Sequence, residues 1–107
     1  MFCVVYVFKV KPGMEKEFER TWALVTKAFY EVAGSLGSRL HKDTEQDVYV
    51  AYAQWPSKEQ AAMDHLSQFS SAQQAAFTEM RACLDSVEVP YQLGVVDDLL
   101  RELVTGL

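Results

Sequence analysis

The sequence predicts an α+β fold, a small antiparallel sheet with helices on one face. Three observations lead there. The segments 2–10 and 47–55 are apolar on both faces when read with a period of two, whereas a strand with one wet face alternates apolar and polar. Stretches with three- and four-residue apolar spacing follow each of them, enough for roughly one helical layer over the sheet. The order strand, helix, strand, strand, helix, strand then describes a ferredoxin-like sandwich. Its other sheet face still needs a cover, and a second copy of the chain is the simplest supplier.

The elements follow in order. Strand one, residues 2–10, puts Phe2, Val4, Tyr6, Phe8 and Val10 on one face and Cys3, Val5, Val7 and Lys9 on the other. Pro12-Gly13 stops it, and Gly13 can serve as an N-cap. Glu15 and Glu17 fall in the first turn of helix one, where the helix dipole favours carboxylates. Phe18, Trp22, Val25, Phe29 and Val32 form its apolar stripe, and Gly34 is a C′ stop.

Strand two, 35–42, alternates Leu36 and Leu40 against Gly37, Arg39 and His41. A polar hairpin loop at 43–46 leads into strand three, 47–55. Ser57 as N-cap with Gln60 at N3 predicts a capping box for helix two, whose buried side is read as Ala61, Ala62, Leu66 and Phe69. Ser70-Ser71 offers a fresh N-cap, so a break is expected, with Phe77, Met80 and Leu84 buried beyond it. Strand four is placed at 86–96. Pro90 lacks a donor, so that strand lies at an edge or breaks in its middle. Asp97-Asp98 can cap a short terminal helix carrying Leu99, Leu100, Leu103 and Val104. Residues 1–107 read as one domain, with 97–107 as a helical extension.

Composition narrows the function. With 107 residues and 50% hydrophobic content the chain affords a core without metal or disulfides. A net charge of −5 counts against a nucleic-acid partner, which wants a basic stripe. Lys9, Lys11 and Lys16 are interleaved with Glu15, Glu17 and Glu19 and read as a solvated face. Cys3 and Cys83 read as small buried hydrophobes, which suits a reducing cytoplasm. The apolar run 2–8 is too short to span a bilayer and lacks a basic leader, so no membrane role is expected. There is no Gly-rich phosphate loop, no Cys-x-x-Cys and no His-x-x-x-His pair, and with only two histidines no metal site is expected.

Few residues remain for chemistry. His65 is either a hydrogen-bonded helix residue or a general base in a cavity below the helices. Trp55, ending strand three before a capped helix, is either a core residue or an N–H donor at the mouth of an apolar pocket. Tyr6 and Tyr49 offer hydroxyls, and Trp22 and Ala51 belong to the same candidate layer. If the hairpin pairs symmetrically about Glu45, Arg39 lies opposite Ala51 on the face of Trp55. A one-residue shift moves it to the other face. The alanines at 51, 53, 61 and 62 either leave room for a ligand or let helix pack close to strand.

Three segments carry a resemblance. Val-Lys-Pro-Gly-Met-Glu-Lys-Glu-Phe (10–18), Gly-Ser-Leu-Gly-Ser-Arg-Leu (34–40) and Tyr-Ala-Gln-Trp-Pro-Ser (52–57) are similar to the antibiotic biosynthesis monooxygenase (ABM) domain family, over most of residues 2–85. The resemblance implies a dimeric α+β barrel with a pocket inside each subunit, between sheet and helices. It also implies oxygenation of a small quinol- or anthrone-like aromatic without any cofactor. His65 would then be the base, Trp55 and Arg39 the oxyanion contacts, and Tyr6 the orienting group. The match is incomplete. The actinorhodin-type branch carries Asn-Tyr-Ala-Gln-Trp in strand three, and this chain keeps Trp55 but has Ala51 for the asparagine. The site tyrosine of that branch falls at Ala61 and its helical arginine near Ala75. The Asn, Trp and His of the haem-degrading branch fall at Tyr6, His65 and about Ala75, so haem degradation is not expected. Two classes stay open, an aromatic monooxygenase and a non-catalytic dimeric binding or assembly module.

Overall fold

The structure is a computed structural model, and it describes residues 1–101. Its elements are β1 (Phe2–Val10), α1 (Glu15–Val32), β2 (Ser38–Asp43), β3 (Val48–Trp55), α2 (Lys58–Ala62), α3 (Ser71–Ala82) and β4 (Leu84–Gly94), with a 3₁₀ turn at Leu66–Gln68. All neighbouring strands are antiparallel and the sheet order is β2-β3-β1-β4. This is the predicted ferredoxin-like α+β arrangement. Within the chain the sheet stays open, with β2 and β4 as its edges, and is not closed into a barrel.

The helices cover one sheet face. Phe18, fully buried, sits between the rings of Phe8 and Tyr49, with centroids 5.1 and 5.0 Å away. Val25, Ala51, Met80 and Cys83 complete that cluster, and Phe2, Val4, Ala33 and Trp55 form a second one toward the other end of the sheet. Both cysteines are free and buried. The opposite face carries Val5, Val7, Val48, Val50 and Tyr52, with Tyr91 and Leu93 exposed beside them on β4. No described helix is long and apolar enough to cross a membrane.

Local chemistry explains where the boundaries differ from expectation. Gly13 makes a left-handed turn (φ 85°) instead of capping, and Met14 is the N-cap of α1 without a side-chain bond. Gly34 is the expected left-handed stop (φ 75°). Ser57 accepts from the Gln60 backbone N–H, but the Gln60 amide donates to the Ala33 carbonyl at 2.7 Å, so the predicted capping box is left half made. The reciprocal box forms instead between Ser70 and Gln73.

Because Met63 turns extended (ψ 153°), α2 stops after Ala62. The helical register used to place Leu66 inside is lost there. Leu66 and Ala62 are exposed, while His65 and Phe69 turn inward. β4 begins at Leu84 and ends at Gly94, earlier than read, and is an edge strand whose ladder is irregular around Pro90. Residues 97–101 form no helix; Asp98 Oδ1 accepts the Leu100 N–H in a local turn. Leu103 and Val104 lie outside the described residues.

The hairpin decides Arg39. Asp43 pairs with Val48 across a four-residue loop, with Asp47 left-handed (φ 53°) and Asp43 Oδ1 accepting the N–H groups of Glu45 and Gln46. An even loop cannot be symmetric about Glu45. Arg39 therefore pairs with Tyr52, not Ala51, and lies on the face away from the helices.

Candidate functional site

A cavity of about 430 Å³ lies between the helix-facing side of the sheet and the helices, within the size range of small-molecule sites. Its floor includes Tyr6, Ala51, Ala53 and Trp55, and its roof includes Trp22 and Phe29 of α1. Ala61, Met63 and His65 close one side; Phe77, Met80 and Arg81 of α3 close another. The floor alanines thus lie under open space. A larger side chain at those floor positions would reach into it.

His65 is held on all sides. Its ring stacks on Trp55 with centroids 5.1 Å apart and planes 10° apart, and meets the edge of Phe29 at 6.3 Å. Its Nε2 lies 2.7 Å from the Gln60 carbonyl oxygen. A carbonyl only accepts, so Nε2 carries a hydrogen, and in the neutral ring the lone pair is then on Nδ1. Nδ1 is buried and has no partner among the described residues. The stretch that places it, 63–65, is the irregular link left by the early end of α2.

The structure brings together five of the seven predicted site residues: His65, Trp55, Tyr6, Ala51 and Trp22 all line the cavity. Burial holds the Tyr6 phenol above its ordinary pKa, and its ring stacks on Phe8 at 5.8 Å. Tyr49 does not line the cavity. It is packed in the core against Phe18, and its hydroxyl donates to Glu19. Burial, and then the Glu19 carboxylate, push its pKa up to about 12. Arg39 is excluded by its register on the opposite sheet face.

The sequence reading missed Arg81, Asp64, Ser35 and Ser38, which also line the cavity. Arg81 follows Phe77 and Met80 at i+4 and i+1, so helical spacing alone could have found it. Ser38 shares the inner face with Leu40 once the register is known. Asp64 carried no signal, because its position depends on the break after α2. Among the described residues no three His, Cys, Asp or Glu side chains converge as metal ligands would.

Comparison with known proteins decides the family. The model of the antibiotic biosynthesis monooxygenases matches residues 1–82. The chain belongs to this family. Similar solved structures include a Bordetella bronchiseptica protein described as an antibiotic biosynthesis monooxygenase, with TM-score 0.72 and 22% identity over 89% of this chain and 96% of that one. SnoaB, a cofactor-independent oxygenase from Streptomyces nogalater, gives TM-score 0.69 and 22% identity over 94% and 97%. Rv0793 from Mycobacterium tuberculosis gives 0.69 and 14% over 92% and 98%. At these identities the likeness is one of fold. No curated protein matches the chain in sequence.

Proposed function

We propose that this ABM-family chain is a cofactor-independent monooxygenase for a small, electron-rich aromatic of the quinol or anthrone kind. The observation that carries the reading is His65, whose buried Nδ1 has no partner among the described residues and whose ring stacks on Trp55 in the wall of a largely apolar cavity. Membership in the family and the likeness to a cofactor-independent oxygenase support it.

The reaction asks little of the protein. An anthrone-type CH₂ flanked by aromatic rings loses a proton to Nδ1, and the carbanion reduces O₂ to a bound peroxide. Loss of water then leaves a ketone: R₂CH₂ + O₂ gives R₂C=O + H₂O, so the substrate supplies every electron. The protein removes the proton, steadies the oxyanion tautomer and keeps bulk water out. Trp55 and Tyr6 are the neighbouring groups that can face that oxyanion. Nδ1 is sealed from water in this conformation, so the 63–65 stretch must give way slightly for substrate to reach it.

The test is oxygen uptake with anthrone and hydroxynaphthalenes, without flavin, metal or nicotinamide. One O₂ consumed per ketone formed is the expected result. No uptake above the uncatalysed rate across such a panel would overturn it and leave the non-catalytic binding module.

The open sheet face supports a homodimer as the working form. Val5, Val7, Val48, Val50 and Tyr52 form a contiguous apolar patch extended by exposed Tyr91 and Leu93, of the kind monomers seldom leave uncovered. Light scattering is expected to give twice the chain mass at micromolar concentration. Val50→Lys, on that face beside Val7, is expected to shift the protein to monomer or unfold it. A wild-type monomer would refute the dimer.

A further inference from the structure

Buried polar atoms in folded proteins nearly always have partners, so each exception asks for a reason. Among the described residues two buried side-chain atoms have none: Nδ1 of His65 and Oγ of Ser38. They lie far apart in sequence, one before α3 and one at the start of β2, yet both residues line the same cavity. Ser38 sits opposite Ala53, two residues from Trp55 on the same face of β3, and His65 stacks on that Trp55. The two orphans therefore belong to one end of the cavity, near the β2 edge. Two neighbouring polar side chains are already used: Ser35 Oγ accepts the Gly37 N–H, and the Gln60 amide is tied to Ala33.

The chemistry of the two atoms is complementary. With its hydrogen on Nε2, His65 offers only an acceptor at Nδ1. A serine hydroxyl offers a donor as well as an acceptor. An apolar wall would be cheaper here, since a buried hydroxyl without a partner is destabilising. An alanine at 38 would fill nearly the same space.

We infer that Ser38 is a substrate-binding residue, its hydroxyl donating to a carbonyl or phenolic oxygen at the β2 end of a fused-ring ligand. The inference rests on the ligand pocket of the proposed function and narrows its substrate class. The ring system is oxygenated at the end facing β2, and its hydrocarbon edge runs toward Phe77 and Met80. Oγ is sealed from water in this conformation. The inference therefore requires Oγ to step to another staggered χ1 position before it can meet a ligand.

The test uses binding, not turnover, so it stands apart from the oxygenase reading. The probes are 1-tetralone, a bicyclic ketone that cannot donate a proton from oxygen to His65, and tetralin, its hydrocarbon counterpart. Affinities of the intact protein are measured by quenching of tryptophan fluorescence. Wild type is expected to bind the ketone about three- to tenfold more tightly than the hydrocarbon, as one hydrogen bond provides. Ser38→Ala is expected to abolish that preference, leave tetralin affinity unchanged, and melt no lower than wild type. Ser38→Thr, which keeps the hydroxyl, is expected to restore part of the preference.

A preference that survives Ser38→Ala overturns the inference, as does equal weakening of both probes, which would mean a merely structural hydroxyl or a resident water. Absence of binding by either probe overturns it too. Oxygen uptake with an unaltered ketone preference would refute Ser38 while sparing the oxygenase. The reverse pattern would keep Ser38 in a binding module.

Discussion

His65→Ala is expected to slow oxygen consumption by about 10²–10⁴-fold, the usual cost of a lost general base. The effect should fall on kcat with any substrate the protein oxidises. Folding should be affected less, because the ring's partners are one carbonyl, Trp55 and Phe29, and the space left adjoins an existing cavity. Oxygen-electrode rates for both proteins, with denaturation midpoints as the control, decide it. If the variant turns over at the wild-type rate, His65 is not the base, and the substrate's own acidity must suffice.

Phe18→Ala is expected to be the most damaging single truncation for stability, at about 3–5 kcal/mol. Its side chain is fully buried, wedged between Phe8 and Tyr49 where α1 meets the middle of the sheet. For a domain with roughly 5–15 kcal/mol in total, that removes a large share. Urea titration followed by circular dichroism measures it. A loss below about 1 kcal/mol would mean the site collapses around the missing ring, against the rigid packing expected of such cores.

The element order and the two-faced strands could be read from period alone, because Val4, Tyr6, Ala51 and Trp55 lie on strands with uninterrupted pairing to one another. The positions that went astray depend on single local events. An even hairpin loop, set by Asp43 and Asp47, moved Arg39 to the far face. The extended Met63 exposed Leu66 and buried His65. Tyr49 sits on the correct face, yet the Phe18 ring and Glu19 take both its ring and its hydroxyl, which spacing does not reveal. The cavity itself was ambiguous, since alanine serves equally for close packing and for space. Only the height of the helices above Ala51 and Ala53 separates the two.

Gln60 has a reach beyond its own helix. Its side chain holds the Ala33 carbonyl at the end of α1, its backbone N–H is capped by Ser57, and its carbonyl receives the His65 ring. At Gly34, a Cβ would come within 3.2 Å of that same side chain. The orientation of the imidazole is thus a readout of how well α1 is stopped, a turn far upstream in the chain. Loosening that turn would misalign the ring while the sheet and the Phe18 core stayed intact. Under the base role proposed for His65, activity and foldedness are separable for this reason, and Gln60→Ala is expected to lower the first more than the second.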